Sequence, residues 1–452
     1  MRNIKKILSL LFVTFIMTNT FGQNTRSKDV DVLRGIADKI LANSEFSFTD
    51  QNTGERYESV KGLPLSPDLK VTSEYNEWKY QNGVLNLALI KLSELTSDQK
   101  YKEHVHGKYD FILNSGNLGY FEKQVKAIKS GEVDGKPSPE FAKLRGNTAK
   151  ASFWQIFRLK KLDDCGAQGA ALIEVYKEDG EEIYRKYIER FAKFVREEEC
   201  RLEDGTLARP IPREYTVWSD DLYMSVPFMA RYAALTDDTE MMDDAVFQLL
   251  RYFDILFDEE KGLYFHCYFT ELETCGVAHW GRANGWVIVA TVELLTLLPE
   301  DHPHRDQLIA NLEKHIQGLA RHQSGSGCWR QLLDKTDSYT ETTCTAMFIY
   351  GISKAVNNGW IDKDYTSVAK YGWEGLMTKI SDEYDVKDIC MGSSTDPSLS
   401  FYYNRPALVN DSHGLATVLL AGTEYLKIKE FYEFVNMSKY LKKAEKKNAN
   451  RN

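Results

Sequence analysis

Apolar residues recur along the chain at helical spacing, and six segments are apolar on nearly every face. A helix whose whole surface is apolar must be buried on all sides, whereas a surface helix keeps one polar face. The six segments therefore predict six buried helices. They lie at 84–95, 162–175, 222–234, 286–298, 346–356 and 415–426.

Between these segments lie stretches with one apolar stripe and one charged face, which is the pattern of a surface helix. The clearest examples are 180–197, 240–257, 305–322 and 365–380. Strict two-residue alternation is scarce, so we predict few strands. Buried and amphipathic helices that alternate at regular intervals predict an all-α fold, a closed (α/α)6 barrel of six inner and six outer helices.

The connections between the helices differ in length according to their direction. Those from a buried helix to the next surface helix are short, as at 235–238 and 298–302. Those in the opposite direction are long and rich in aromatic residues, glycine, arginine and histidine. They are 200–219, 258–280, 323–340 and 381–412. Long loops at one end of a ring predict a functional face, and the buried helices begin there, so their N-termini favour an anionic ligand.

The first residues predict an export signal. A basic start precedes an apolar stretch from Ile7 to Met17, which is too short to span a bilayer, and we predict cleavage near Gly22–Gln23. An N-terminal anchor helix is the alternative. We therefore predict a periplasmic or secreted protein with a signal peptide over 1–22, a single barrel domain over 23–440 and a disordered tail over 441–452.

Charge and cysteine content narrow the choice of partners. The formal net charge is −9, and it becomes −12 without the three basic residues of the signal, which argues against nucleic acid or an anionic membrane as a partner. The seven cysteines form no CxxC pair, and their odd number leaves at least one thiol free. The sequence also lacks HxxxH, GxGxxG and GxxxxGK, so we expect no metal and no nucleotide cofactor. After the signal no stretch is apolar enough to cross a membrane, so we expect no membrane insertion.

Two pairs of aspartates stand at the start of buried helices. Asp220 and Asp221 open one helix, and Asp163 and Asp164 open the preceding one. Aspartate at a helix start is often an N-cap that faces the helix dipole, so a structural role is an alternative for each pair. Adjacent helix starts in a ring would bring the pairs together, and neighbouring carboxylates can share a proton or divide acid and base roles.

The other candidates are aromatic, basic and amide side chains at the starts of buried helices or in the loops before them. They are Tyr80, Asn82, His266, Trp280, Arg282, Trp329 and Arg330. Arginine can bind a carboxylate through two parallel hydrogen bonds, and tryptophan can stack on a sugar ring. A cation–π packing cluster and a structural histidine are the alternatives. Together, such residues without a metal or nucleotide motif predict a site for a charged sugar.

Four runs of sequence resemble the unsaturated rhamnogalacturonyl hydrolases, glycoside hydrolase family 105, and more distantly the unsaturated glucuronyl hydrolases of family 88. They are WSDDLYMSVPFMARY, WGRANGW, WRQLLD followed by SYTETTCTAMF, and DGTLARPIP, and the resemblance extends from about Trp78 to about Leu426. It implies a barrel of six helical hairpins. It also implies removal of a 4,5-unsaturated uronic acid from the non-reducing end of lyase-generated oligosaccharides, by hydration of the C4=C5 double bond.

The resemblance assigns catalytic roles to individual residues. It places the proton donor at Asp220, in the aspartate position of an Asp-x-Leu-Tyr-Met segment. Asp221 is the alternative donor, and if Asp220 is the donor we expect Asp221 to bind substrate. The second catalytic aspartate falls on Asp164, with Asp163 as the alternative register. His266 matches a loop histidine, although Cys-Tyr follows it here where an aromatic residue and an acid are commoner.

The remaining matches concern substrate binding. Trp280 and Arg282 match a Trp-x-Arg sequence that faces the unsaturated ring, and Tyr80 and Asn82 fall in the motif of the first buried helix. The neighbouring sugar stays open between rhamnose, sulfated rhamnose and galactose. Three alternative functions also stay open: another α/α-barrel glycosidase, a polysaccharide lyase and a non-catalytic oligosaccharide-binding protein.

Overall fold

The computed structural model describes residues 27–114 and 116–428, and helices predominate within them. The α-helices are 27–42 (α1), Tyr80–Thr96 (α2), Lys100–Tyr109 (α3), Asn117–Ser130 (α4), Pro139–Ala142 (α5), Trp154–Arg158 (α6), Gly166–Asp179 (α7), Glu182–Lys193 (α8), Asp221–Thr236 (α9), Thr239–Leu256 (α10), Gly281–Leu297 (α11), Arg305–Arg321 (α12), Thr342–Asn357 (α13), Thr366–Met377 (α14), Leu399–Tyr403 (α15) and 412–428 (α16). The π-helical turns Asp110–Asn114 and Phe194–Glu198 continue α3 and α8.

The strands of the described residues are two or three residues long, in agreement with the scarcity of alternation, and they pair in antiparallel fashion. They are Phe48–Asp50 (β1), Arg56–Tyr57 (β2), Leu69–Val71 (β3), Glu132–Val133 (β4), Lys136–Pro137 (β5), Thr216–Trp218 (β6), Phe257–Asp258 (β7), Leu263–Tyr264 (β8), Cys267–Phe269 (β9), Thr274–Cys275 (β10), Ile389–Cys390 (β11) and Ala407–Leu408 (β12). The sheet β10-β9-β6 is the one that bears on the site.

Six helices form an inner ring in the order α2, α7, α9, α11, α13 and α16. Consecutive helices from α2 to α13 pack side by side. Helix α16 closes the ring, because Asn357 Nδ2 donates to Glu424 O (3.1 Å) on one side and Gln81 contacts His413 (3.1 Å) on the other. Every residue from Gly281 to Leu295 of α11 is buried. The all-round apolar segments are therefore the inner helices, and the predicted (α/α)6 barrel is confirmed.

The outer helices show the expected single apolar stripe. The buried residues of α8 include Tyr184, Ile188 and Phe191, which share one face of the helix. Helices α3, α8, α10, α12 and α14 each follow an inner helix after a short loop. The sixth outer position is taken by α1, whose Leu33 packs against Gly422 of α16. Helical periodicity does not predict this contact, because it joins segments from opposite ends of the chain.

Two glycines bring the starts of α2, α7 and α9 together. A Cβ atom on Gly166 would lie 1.6 Å from Met224 O of α9, and a Cβ atom on Gly83 of α2 would lie 2.4 Å from the carbonyl carbon of Ala167 in α7. Any larger side chain would push these helices apart. The close approach therefore places the two aspartate pairs on neighbouring helix starts, as the ring predicts.

The long loops lie at the end of the barrel where the inner helices begin, as the sequence predicts. The loop between α3 and α7 is more elaborate than its pattern indicates, because it contains α4, α5 and α6. These helices enclose a small core of their own. Its buried members are Val125, Ala127, Ile128, Phe141 and Ala151. This segment completes the wall of the functional face beside α7.

The opposite end of the ring holds one charged residue from each inner helix, and the signs alternate. In ring order they are Lys91, Glu174, Arg231, Glu293, Lys354 and Glu424. Arg231 Nε donates to Glu174 (2.8 Å), another Arg231 nitrogen binds Glu293, and Lys354 Nζ lies 2.5 Å from Glu293 Oε1. Burial raises the pKa of Glu293, but Lys354, Lys91 and Arg231 outweigh it and hold the pKa well below its ordinary value. Each buried charge therefore depends on its neighbours in the ring.

Among residues 27–114 and 116–428, no helix is long and apolar enough to cross a membrane. The predicted signal peptide over 1–22 and the predicted tail over 441–452 lie outside the described residues. The boundaries 23–440 of a single barrel domain stay a prediction. The seven cysteines all fall within the described ranges, where each is a free thiol.

Candidate active site

A pair of strands sets Asp220 beside His266. Strand β6 pairs with β9 so that Trp218 lies opposite Cys267, and Ser219 continues the pairing because its N–H donates to His266 O (3.0 Å). Asp220 comes next, immediately before α9, and its Oδ2 lies 3.1 Å from His266 Nε2. The backbone therefore fixes the contact between carboxylate and imidazole.

His266 is buried among aromatic rings. Its side chain is fully buried, and its ring centroid lies 4.7 Å from that of Trp280 and 5.6 Å from that of Trp218. Its Nδ1 lies 2.8 Å from Tyr402 Oη. One ring nitrogen thus faces a carboxylate and the other a phenol, which makes His266 a part of the site and not a packing residue alone.

Asp220 differs from the other carboxylates of the site in its partners. Its side chain is 15% exposed, and in the described part of the chain no arginine or lysine nitrogen lies within 4.0 Å of it. By contrast, Asp163, Asp164 and Asp221 are each paired with an arginine. An accessible carboxyl without a cationic partner is the group best placed to exchange a proton with a ligand.

Arg209 links Asp163 and Asp221. Its Nη1 lies 3.0 Å from Asp163 Oδ2 and its Nη2 lies 2.7 Å from Asp221 Oδ1, while its guanidinium covers the Trp218 ring at 4.2 Å from the centroid. Burial raises the pKa of Asp221 to about 7. Burial also acts on Asp163, but the charges of Arg209 and Lys161 outweigh it and lower the pKa of that carboxyl. The single Arg209 guanidinium lies between two buried carboxylates. Asp163 stays ionised beside it, whereas Asp221 binds a proton near neutral pH.

Replacing Asp221 by asparagine should change how stability depends on pH. The pKa of Asp221 is about 7 in the folded protein and about 3.9 in an unfolded chain. Its contribution to stability is therefore complete below about pH 4 and is lost as the pH rises to about 7. The free energy of unfolding of the wild type, relative to that of Asp221→Asn, should fall across this range in urea denaturation. A difference that stays constant would mean that Asp221 is ionised throughout.

Asp164 is engaged by the loop before α7 and does not join the group around Asp220. Arg158 Nε donates to its Oδ2 (2.7 Å), a second Arg158 nitrogen binds Oδ1, and Lys160 N donates to Oδ2 (2.9 Å). Asp164 is therefore held in an ion pair with Arg158, and its role as the second catalytic aspartate stays a prediction. Asp163 is the carboxyl that shares Arg209 with the start of α9. The two differ because successive side chains at a helix start point in different directions.

Trp280 and Arg282 lie on the other side of His266, at the start of α11. The Arg282 guanidinium lies 4.5 Å from the centroid of the Trp280 ring, and its two Nη atoms donate to Cys390 O and Met391 O (2.9 Å for the latter). Arg282 is buried. No carboxylate oxygen of the residues that the structure describes lies within 4.0 Å of this guanidinium, so its charge is not neutralised by an ion pair.

Tyr80 lies close enough to this arginine and to the aspartates for their charges to act on its phenol. Burial raises the pKa of the Tyr80 phenol, and the charges of Arg282, Asp163 and Asp220 also act on it. The Tyr80 ring lies 5.9 Å from the ring of His413 in α16. Burial and the charge of Arg282 lower the pKa of His413. The site therefore draws on the first and last inner helices as well as on α7, α9 and α11.

Three predicted site residues have structural contacts instead. Asn82 Nδ2 donates to two backbone carbonyls of the loop before α2, at 2.8 Å each. Trp329 is fully buried, and its Nε1 donates to a backbone carbonyl of α12 (2.7 Å). Arg330 Nη1 donates to a carbonyl of its own loop (2.9 Å). These contacts do not bring the three side chains to Asp220, and they do not support the predicted contacts with substrate.

Two residues of the group were not among the sequence candidates. Arg209 lies in the DGTLARPIP run without an assigned role, and Tyr402 lies 136 residues from His266 along the chain. The two aspartate pairs could have indicated Arg209, because buried carboxylates require a nearby cation. No local pattern marks Tyr402, because its role depends on which loop folds back over β9.

Arginines bind Asp163, Asp164 and Asp221, whereas Asp220 faces His266. Within the two described ranges, no group of three histidine, cysteine, aspartate or glutamate side chains is close enough together to hold a metal ion. This arrangement can exchange a proton at Asp220, hold the Asp220 carboxyl in place through His266 and present positive charge at Arg282. These are the requirements for general acid–base chemistry on an anionic molecule.

The sequence model of Glycosyl Hydrolase Family 88 matches residues 64–429. This chain belongs to that family. The match contains all six inner helices and every residue of the group around Asp220. Membership of family 88 makes the protein a glycoside hydrolase of carbohydrate degradation.

Curated relatives of this family 88 chain include hydrolases of the kind that its sequence motifs resemble. It is 26% identical over 262 residues to the unsaturated rhamnogalacturonyl hydrolase YesR of Bacillus subtilis, covering 56% of this chain and 74% of that protein. It is 31% identical over 218 residues to an unsaturated 3S-rhamnoglycuronyl hydrolase of Alteromonas sp. (strain LOR), covering 46% of this chain and 51% of that protein. The chain thus aligns with about half the length of the second relative.

Solved structures show the same fold. A glycoside hydrolase from family 105 of C. acetobutylicum has a TM-score of 0.66 at 22% identity, and the superposition covers 87% of this chain and 98% of that one. The unsaturated glucuronyl hydrolase of Bacillus sp. GL1 has a TM-score of 0.59 at 13% identity, with 89% and 98% covered. At these identities the likeness concerns the barrel alone.

Proposed function

We propose that this family 88 hydrolase removes a 4,5-unsaturated uronic acid from the non-reducing end of oligosaccharides by hydrating the C4=C5 double bond. The observation that carries the proposal is Asp220, an accessible carboxyl with no cationic partner among the described residues, beside a buried histidine. The names of both curated relatives describe hydrolases of unsaturated sugars, which supports the same substrate class here.

The reaction begins with proton transfer from Asp220 to C4 of the enol ether, which leaves a cation at C5 that the ring oxygen stabilises. Water then adds to C5 and returns a proton to the Asp220 carboxylate. The resulting hemiketal opens to a ketone at C5, and the hemiacetal left at C1 releases the neighbouring sugar. No displacement occurs at the anomeric carbon, so the carboxylate separation that distinguishes retaining from inverting glycosidases does not apply.

Arg282 and Asp163 supply the charges that this substrate requires. The Arg282 guanidinium is buried and lacks a carboxylate partner in the described structure, so a uronate would provide the missing negative charge in the site. Trp280 lies beside it and offers a face for the sugar ring. Asp163 stays ionised at neutral pH because Arg209 and Lys161 lower its pKa against the effect of burial, and it can therefore accept a hydrogen bond from the water that adds at C5.

The experiment that tests this function follows the ultraviolet absorbance of the conjugated C4=C5 carboxylate in lyase-generated oligosaccharides. The panel varies the neighbouring sugar among rhamnose, sulfated rhamnose and galactose. We expect the absorbance to fall on at least one member, with stoichiometric release of the neighbouring sugar. An increase of absorbance on a saturated polysaccharide would instead show a lyase. No change on any member, with folded protein, would refute hydration.

A further inference from the structure

Within the described residues, the two nitrogens of the His266 ring each face one polar side chain. The ring is fully buried and packs against Trp218 and Trp280. Its Nε2 faces Asp220 Oδ2 at 3.1 Å, although this pair is not aligned as a hydrogen bond. Its Nδ1 makes a well-formed contact of 2.8 Å with Tyr402 Oη. Because the partner of one ring nitrogen bears on whether the other carries hydrogen, the contact with Tyr402 is the one to consider for the tautomer.

Tyr402 is held firmly against the site although it comes from a distant loop. It lies in the short helix α15 between β11 and β12, and its side chain is fully buried with Trp280 and Cys390 in a separate apolar cluster. Gln331 Nε2 donates to its backbone carbonyl (3.1 Å). The phenol therefore has a fixed position relative to His266, which is what a group that sets a proton position needs.

The contacts of the Tyr402 hydroxyl favour it as the donor to His266. The backbone N–H of Asp396 points at Tyr402 Oη from 3.4 Å and can only donate. With this donor on one side of the oxygen, the hydroxyl hydrogen can point to His266 Nδ1, 2.8 Å away, with Nδ1 as the acceptor. A neutral imidazole that accepts at Nδ1 carries its hydrogen on Nε2, and Nε2 is the atom that faces Asp220.

We propose that Tyr402 is a positioning residue that fixes His266 as the Nε2–H tautomer and so keeps the catalytic proton of Asp220 for the substrate. An imidazole with hydrogen on Nε2 can only donate to Asp220, so it cannot take the proton that C4 requires. In the opposite tautomer, Nε2 carries no hydrogen, so it would accept the proton of protonated Asp220. This inference rests on the proposed role of Asp220 as the acid.

Tyr402→Phe tests the proposal because it removes the hydroxyl and keeps the buried ring. Both tautomers become accessible to His266, so kcat should fall about tenfold, the effect of one lost hydrogen bond. KM should stay within about twofold, because Tyr402 acts through His266 and not on the substrate. The matched control is Tyr403→Phe, which removes an exposed hydroxyl from the same helix, where Tyr403 donates to Asp337 (2.8 Å). It should leave kcat unchanged.

Nitrogen NMR of histidine-labelled protein reads the tautomer directly, with the His266 signals identified by their loss in His266→Gln. The wild type should show hydrogen on Nε2, and Tyr402→Phe should show a mixture or hydrogen on Nδ1. The proposal is overturned if wild-type His266 carries its hydrogen on Nδ1, or if Tyr402→Phe leaves the tautomer and kcat unchanged. If Tyr402→Phe fails to fold, the wild-type spectrum alone still shows which nitrogen of His266 carries hydrogen. Since it is recorded without substrate, it is also independent of whether the proposed function holds.

Discussion

Replacing Asp220 by asparagine should lower kcat on unsaturated oligosaccharides by about a thousandfold or more, in the upper range for loss of a general acid. The amide cannot donate a carboxylic proton, yet it has the same shape and can keep the contact with His266. Folding should be unaffected, because Asp220 is partly exposed and has no ion pair with arginine or lysine in the described structure. Absorbance of the unsaturated carboxylate measures kcat, and circular dichroism verifies the fold.

Asp221→Asn is the comparison that distinguishes the two neighbouring aspartates. Asp221 is buried and bound to Arg209, and its pKa of about 7 means that a neutral amide resembles the form that it already populates. Its kcat should therefore fall by less than about tenfold, far less than the loss expected from a missing general acid. If Asp221→Asn lost activity and Asp220→Asn kept it, the proton donor would be Asp221. Equal losses would mean that the two carboxyls act as one unit.

Replacing Arg231 by methionine should lower the free energy of unfolding by about 3–5 kcal/mol, the cost of removing one partner from a buried ion pair. Arg231 bridges Glu174 and Glu293 across three inner helices, and both the arginine and Glu293 are almost fully buried. Without the guanidinium, Glu293 keeps its contacts with Lys354, the Tyr350 hydroxyl and the more distant Lys91. Chemical denaturation followed by circular dichroism measures the loss of stability. The activity of the folded fraction should persist, because the alternating charged residues lie at the end of the barrel opposite the candidate site.

Arg251→Met provides the matched control for this measurement. Arg251 lies on outer helix α10 and pairs with Asp204 at 2.7 Å, but both side chains are about two-fifths exposed. Solvent screens such a pair, so its loss should cost less than about 1 kcal/mol. A cost for Arg231→Met no greater than that for Arg251→Met would show that the alternating ring contributes little to stability.

The helical architecture follows from the sequence to a large extent. The segment 286–298 is apolar on nearly every face and falls in α11, which is buried from Gly281 to Leu295. Helix α8 carries a single apolar stripe, so the hydrophobic pattern distinguishes a helix buried on every side from one buried on one side. Loop length then identified the functional end of the ring. The pairing of α1 with α16 was not predictable in this way, because helical periodicity shows that a face is buried and does not show what covers it.

Within the site, the sequence indicated the segments and the structure selected the side chains. The Asp163–Asp164 pair was placed at the correct helix start, but Asp164 is bound by Arg158 while Asp163 shares Arg209 with α9. Trp329 stands in a recognisable run, yet its ring belongs to the core. A motif fixes the order of residues along the chain, whereas a difference of one residue at a helix start changes which arginine a carboxylate binds.

The sequence by itself determined the barrel, the end at which the site lies and the family, because these depend on periodicity and on contiguous motifs. The tertiary structure decided which carboxylate stands without a cation, which arginine binds two aspartates and which phenol reaches His266. Tyr402 and His266 are separated by 136 residues and meet only when the loop between β11 and β12 folds over β9. Hydrogen bonds and charge pairing act over a few ångströms in space, so their partners follow from packing and not from distance along the chain.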